Sequence, residues 1–473
     1  MHSDDARLLG DDPRGLFGSA AKMFAVPYQE IRALQLEALR MRFDALRSKV
    51  QLLGRLAERN GVDRIEDLDA GGRLLYPSNV YKSYVFAWLN DGEYDRLTRW
   101  LQQLTAHDLA EVDVSAVESL DEWFARLEAS TDLRVCHSSS TSGKLSFVPR
   151  GVAEWVRRSA TLPMACEAAG TDEGPQHVSF EGLPLVLPFY RSGHSAAIMH
   201  YDWFIRVHTD PGGEHPERVL TLYSGALSSD LMVLAGRLRS GQLSGDPRSL
   251  QLPDRLLDRR AELSALLEGT SDEQMQAFVT AAAERFAGQR AIVTGVWPTM
   301  VDPAAVSLAL GHGDVFDPSS FVISGGGEKG RTLPENARQL VLGWTGVRRI
   351  EEGYGMSELM GMNAKCSAGN YHINPWLIPY VVDPDSLDPL PSVGRVTGRL
   401  AGIDLMASSY WSGYISTDLV TMNWDPKCVC DREGPYLDSD IRRVHNEQDD
   451  KISCAATPRA HDEAIEFLRA QGA

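Results

Sequence analysis

Leu183-Pro-Leu-Val-Leu-Pro-Phe-Tyr190 is a short apolar run between polar neighbours, and it reads as a strand. Working outward, Arg218 to Tyr223, Ala291 to Trp297 and Phe321 to Ile323 have the same character. Between them, Leu256 to Leu267 and Asp272 to Ala287 carry the pattern of amphipathic helices. Strands that alternate with such helices build a sheet covered on its faces, so the expected fold is α/β.

Towards the N-terminus the pattern differs. Residues 27 to 59 read as helix, with Leu39, Phe43, Leu46, Val50 and Leu53 recurring on one face. Further helical or polar stretches run to about Glu128, with turn signals at Pro77-Ser78-Asn79 and Asn90-Asp91-Gly92. After Trp376 helices thin out and strands dominate through Asn423. The expected organisation is a helical part at 1–130, an α/β core at 131–375, a β-rich subdomain at 376–442 and a short tail at 443–473, too short for an independent domain.

The chain has 473 residues, and 47 bases against 65 acids give a net charge of −18. So acidic a surface repels phosphate backbones and anionic headgroups, which argues against nucleic-acid or membrane partners. The polar, acidic first dozen residues lack the basic and apolar regions of an export signal. No apolar run approaches the roughly 20 residues that span a bilayer. Six cysteines are too sparse for a disulfide scaffold, so reduced thiols and a cytoplasmic setting are expected.

Four segments carry chemistry. In Cys136-His-Ser-Ser-Ser-Thr-Ser-Gly-Lys144, five hydroxyl residues (Ser138, Ser139, Ser140, Thr141 and Ser142) precede Gly143 and Lys144. Small side chains let the main chain approach an anion that hydroxyls and N–H groups can wrap. In Gly353-Tyr354-Gly355-Met356-Ser357-Glu358, after a strand-like run at Val347 to Ile350, glycines flank a ring that offers a stacking face. Glu358 there supplies a hard oxygen ligand suited to Mg²⁺. Ser324-Gly325-Gly326-Gly327 follows a strand and admits a planar ligand. In Ser416-Thr-Asp418, a carboxylate just past a strand could accept hydrogen bonds from a ribose diol. Each segment also reads simply as a turn.

In this order the segments resemble the adenylate-forming superfamily of acyl-CoA synthetases, adenylation domains and luciferases, from about Pro77 to Lys451. Within it the likeness is to phenylacetate-CoA ligases and the acyl-protein synthetase of bacterial bioluminescence, which share the Cys428-Val-Cys-Asp-Arg432 segment. The resemblance implies a large α/β domain in layered subdomains, with ATP and Mg²⁺ as cofactors. It matches Ser138 to Lys144 to the phosphate loop, with Thr141 and Lys144 catalytic beside Glu358. It matches Gly325 to Gly327 and the Tyr354–Ser357 turn to the adenine-contacting turns, Glu358 to the Mg²⁺ carboxylate and Asp418 to the ribose carboxylate. Leu187-Pro-Phe-Tyr-Arg-Ser-Gly-His194 resembles the segment lining the acyl pocket, which makes Phe189, Tyr190, His194 and Trp297 candidate substrate contacts; aromatic residues in strands are also ordinary core. Departures are Ser140 where glycine is common and Ser146 where many members have lysine. Arg443, Asp449, Asp450 and Lys451 resemble a hinge, but the mobile domain that usually follows is largely absent.

Cys366, His372, Cys428 and Cys430 form a further set. Three thiolates and an imidazole suit tetrahedral Zn²⁺ in a closed, structural site, and the alternative is four buried core residues. The expected activity is ATP-dependent activation of an aryl or medium-size carboxylic acid as an acyl-adenylate. CoA, a carrier-protein thiol or an amine would be the acceptor. Cys454 is either a tethered acyl acceptor or a small residue of the tail, and a truncated scaffold without catalysis is the competing class.

Overall fold

A computed structural model of the chain describes residues 3–138, 144–168, 178–244, 259, 271–325, 332–425, 427–444 and 463–467. The fold is mixed α/β. Helices dominate as far as Ser130, and the expected helix over 27–59 forms as two, Tyr28–Leu46 and Gln51–Arg59. The break has a packing cause. Val50 is extended and fully buried, and the Leu52 N–H donates to the Gln103 carbonyl at 3.0 Å, docking the second helix against the end of Tyr94–Gln102. Leu39, Phe43, Leu46, Val50 and Leu53 are all buried, so the apolar stripe crosses the break intact.

A small antiparallel hairpin follows, formed by β1 (Cys136–His137) and β2 (Phe147–Val148). Then come β3 (Leu185–Gly193), β4 (Val219–Leu227), β5 (Ile292–Val296), β6 (Phe321–Gly325), β7 (Glu351–Tyr354) and β8 (Asn363–Ala364). They form one sheet in the order β4-β3-β5-β6-β7-β8, parallel except for β8. The intervening helix expected at Asp272–Ala287 is present as Ser271–Phe286, whereas Leu256 to Leu267, apart from Arg259, lies outside the described residues. The last strands are β9 (Tyr371–His372), β10 (Leu377–Val382), β11 (Arg395–Asp404), β12 (Tyr414–Asn423), β13 (Tyr436–Leu437) and β14 (Arg442–Arg443). These make an antiparallel sheet in the order β10-β11-β12-β13-β9, with β14 on β12.

Two expectations are corrected. Val347 to Ile350 is not a strand: both ends of the run are buried as loop, and the strand begins at Glu351, in register with Ile323 of β6. The Gly353-Tyr354 pair therefore closes a strand instead of following one. Asp418 likewise sits inside β12. The pairing of β11 with β12 steps from Arg399↔Leu419 to Ala401↔Ile415, so Ser416-Thr417-Asp418 form a bulge. Bulges re-aim side chains and increase local twist.

One core joins the N-terminal helices to Ile378, Tyr380, Ile403, Tyr410 and Trp411 of the antiparallel layer, and a second lies against the parallel sheet. Residues 463–467 are helical, with Ala464 and Ile465 buried. No helix among the described residues is long and apolar enough to cross a membrane.

Candidate active site

All five parallel strands end at one edge, and ligands of open α/β sheets bind outside the carboxyl ends of strands. At that edge a Cβ on Gly325 would lie 2.8 Å from the Gly353 carbonyl oxygen, so only glycine lets β6 and β7 end side by side. The chain then turns through Gly355, Met356 and Ser357 to Glu358.

This turn is pinned by groups distant in sequence. The buried Arg150 donates through Nη2 to the Ser357 carbonyl at 2.5 Å while its guanidinium rests on the Trp155 ring, 5.0 Å from the centroid. Beyond Glu358, the buried Asp404 accepts from the Met360 N–H at 2.7 Å and the Gly361 N–H at 3.3 Å, and Arg158 donates to the Leu359 and Met360 carbonyls. Buried charges with several hydrogen bonds fix a loop tightly, because any movement leaves them unpaired in a low dielectric.

The two sheets meet here. The Tyr354 hydroxyl donates to Asp418 Oδ2 at 2.6 Å, and Arg443 Nε, from the strand paired with β12, lies 3.8 Å from Asp418 Oδ1. The bulge at Ser416–Asp418 is held by Arg399, which donates to the Ser416 carbonyl at 2.9 Å, and by Ser416 Oγ, which accepts the Asp418 N–H at 3.1 Å. Burial raises the Tyr354 pKa well above the usual phenol range, and the Asp418 carboxylate adds to this. The Glu358 carboxyl is also pushed up. Burial is the main cause; its own main-chain N–H, Arg150 and Lys82 oppose it, and Asp418 reinforces it.

The hydroxyl-rich segment spans the β1–β2 hairpin. The Ser138 N–H donates to the Ser146 carbonyl at 3.0 Å and Ser138 Oγ accepts from the Ser146 N–H at 3.1 Å, so Ser146 closes the base of the loop and is itself buried. Ser139, Ser140, Thr141, Ser142 and Gly143 lie outside the described residues, as do Gly326, Gly327, Asp449, Asp450, Lys451 and Cys454. Lys144 places its ammonium 4.9 Å from the centroid of the Tyr84 ring. Its pKa is lowered by burial and by the neighbouring Lys82.

Lys82 and Arg150 were missed in the sequence. Lys82 follows the turn at Pro77–Asn79 and is electrostatically coupled to both Lys144 and Glu358; neither lysine has an ion pair among the described residues. Lys82 thus links the Lys144 ammonium to the Glu358 carboxyl, and Asp418 lies near Glu358 in turn, so cationic and anionic groups stand close together at this edge. Glu358 offers a hard carboxylate oxygen of the kind Mg²⁺ takes.

The substrate candidates divide. Phe189 and Tyr190 are buried in the core of the parallel sheet, where Tyr190 stacks on Tyr223 at 4.5 Å, and Trp297 packs against the same core from the start of the helix Trp297–Ala309. His194 alone of the four lines a cavity of about 550 Å³, together with Asp121, Glu128, Arg134, Asp202 and Trp203. It stands 3.3 Å from Glu128 and stacks on Phe124 at 4.3 Å. The His194 carbonyl accepts from the His137 N–H at 2.8 Å, so the cavity wall touches the base of the Ser138–Lys144 loop.

Away from this edge, Cys366, His372, Cys428 and Cys430 come together, with their ligand atoms all within 4.8 Å of one another. Hydrogen bonding from Cys430 and His372 lowers the pKa of the Cys366 thiol, while that of the Cys430 thiol, which donates to it, is raised.

No protein-family model matches the chain, and no curated protein matches it. Among solved structures it is similar to an open conformation of 2-hydroxyisobutyryl-CoA ligase in complex with 2-HIB-AMP and CoA: identity is 13%, 90% of this chain and 78% of that chain are covered, and the TM-score is 0.49. It is also similar to the luciferase-like enzyme of the nonluminescent mealworm Zophobas morio (11% identity, 67% and 59% covered, TM-score 0.35) and to ATP-bound MatB from Rhodopseudomonas palustris (14%, 64% and 46%, 0.30).

Proposed function

We propose that this chain activates a carboxylic acid with ATP, giving an acyl-adenylate and pyrophosphate. The observation that carries the reading is the 2.6 Å bond from Tyr354 to Asp418, which holds a ring and a carboxylate at the strand edge beside Glu358 and the paired lysines. In the reaction a carboxylate oxygen of the acid attacks the α-phosphorus of ATP, and the bond to the oxygen bridging α- and β-phosphorus breaks as pyrophosphate leaves. The protein positions the reactants and stabilises developing charge. Asp418 accepts hydrogen bonds from the ribose diol, and Tyr354, fixed by that same carboxylate, offers the adenine its face. Lys144 and Lys82 neutralise the departing pyrophosphate, with the hydroxyls of the Ser138–Ser142 loop. Mg²⁺ held at Glu358 would supply charge neutralisation at the phosphates.

The acid is an aryl or medium-size acyl acid, held near His194. The acceptor is a thiol or amine: CoA, a carrier-protein thiol or Cys454. A zinc ion at the Cys/His cluster would take no part in this chemistry. Pyrophosphate release measured across a panel of carboxylic acids tests the proposal: release that depends on an acid supports it, and none with any acid favours a scaffold that binds without reacting.

A further inference from the structure

We propose that Cys366, His372, Cys428 and Cys430 hold a zinc ion that fastens the two six-stranded sheets together. Zn–S bonds of about 2.3 Å in a tetrahedron place neighbouring sulfurs roughly 3.8 Å apart. Four ligand atoms mutually within 4.8 Å, with Cys430 Sγ 3.2 Å from His372 Nε2, already occupy such a volume. The three cysteines sit on two tight turns of the type that cups a metal. In the first, the Cys366 N–H donates to the Asn370 carbonyl and the Gly369 N–H to the Cys366 carbonyl, both at 2.9 Å, with Gly369 at φ +83°. In the second, the Cys428 N–H donates to the Arg432 carbonyl at 3.0 Å and Asp431 adopts φ +67°.

The surroundings fit a metal better than a plain core. Asn370 Nδ2 donates to Cys428 Sγ at 3.3 Å, the outer contact a thiolate ligand needs. Three thiolates and one Zn²⁺ leave one negative charge. Arg432, electrostatically coupled to all three cysteines and lying over the Phe24 ring at 5.4 Å, supplies the balancing cation.

The position gives the ion its role. Cys366 stands two residues beyond β8, which pairs with β7 at Tyr354↔Asn363. His372 lies in β9, which pairs with β13, and β13 pairs with β12 at Met422 and Asn423, further along the strand from Asp418. A metal bonded to both turns therefore ties together the two sheets that Tyr354 and Asp418 bridge elsewhere along their seam.

The test uses the full chain, grown without added zinc and purified without a histidine tag. Expected are about one zinc per chain and, after growth in cobalt, the d–d bands and thiolate charge transfer of a tetrahedral site. Cys428→Ser and Cys430→Ser should each lower metal content severalfold and lower the melting temperature. Metal-free wild-type protein of full stability overturns the proposal, as does a cobalt spectrum without thiolate charge transfer; both readings stand even where a serine variant fails to fold. Protein stripped by a chelator yet still folded should bind ATP about tenfold more weakly, and unchanged affinity there overturns the role at the seam. This last arm rests on the proposed nucleotide site. If neither form binds ATP, that site is wrong and the metal content decides the zinc alone.

Discussion

The turn Gly353–Glu358 and the strand Leu185–Gly193 end at the same edge of one parallel sheet, and each carries aromatic residues beside polar ones. They are held in opposite ways. The turn is fixed from outside, by Arg150, Arg158 and Asp404, which grip its main chain and leave the Glu358 carboxyl without an ion pair among the described residues. The strand packs on its neighbour: Tyr190 stacks on Tyr223 one strand away, while at its end Ser192, Gly193 and the following His194 line a cavity. A side chain whose neighbours are already satisfied within the sheet is core. One whose support comes through its main chain, while its own charge awaits a partner, is free to bind.

This contrast can be broken by substitution. The largest expected effect is at Tyr190: Tyr190→Ala should lower stability by about 3–5 kcal/mol in urea unfolding, as for other buried aromatics, with KM for the acid unchanged. A raised KM at intact stability would return Tyr190 to the pocket. Asp418→Ala should weaken ATP binding by about 10- to 100-fold in titration calorimetry, the scale of a lost hydrogen bond to a charged group. Equal affinity in variant and wild type would show that the bulge points its carboxylate elsewhere. Lys82→Met should slow pyrophosphate release by about tenfold and leave the melting temperature near that of the wild type, since no hydrogen bond or ion pair among the described residues uses its ammonium.

The smallest effect is a pH dependence. Burial holds His137 down from 6.5 to about 4, while both ring nitrogens are engaged, with Ser229 Oγ and with the Ser138 carbonyl, each at 3.1 Å. Between these values the unfolded chain takes up a proton that the folded chain refuses. This contribution to stability is therefore present above pH 6.5 and is lost as pH falls towards 4. His137→Gln should flatten the urea midpoint over that window, and an unaltered slope would place the titration on another group.

Much of the parallel sheet was legible because its strands are buried on both faces and read as continuous apolar runs. The chemistry-bearing glycines and carboxylates were legible too, since a sharp turn and a hard-oxygen ligand each demand particular residue types. Their exact setting was not. The start of β7 at Glu351 and the bulge at Ser416–Asp418 are decided by register with β6 and β11, which local composition does not encode. Lys82 was hidden for a similar reason: an isolated lysine after a turn gains meaning only when folding sets it near Lys144 and Glu358. Arg150 carries no motif in the sequence and is buried, its partners at Ser357 and Tyr410 lying more than two hundred residues along the chain.

The most direct measurement is pyrophosphate release by wild type and Glu358→Gln side by side, across the acid panel and at limiting Mg²⁺. The account predicts release with at least one acid, and a fall of about 10²–10³ in rate for the variant at unchanged melting temperature, because one preorganised charge is removed while the pinned turn stays in place. Equal rates in the two proteins would contradict it.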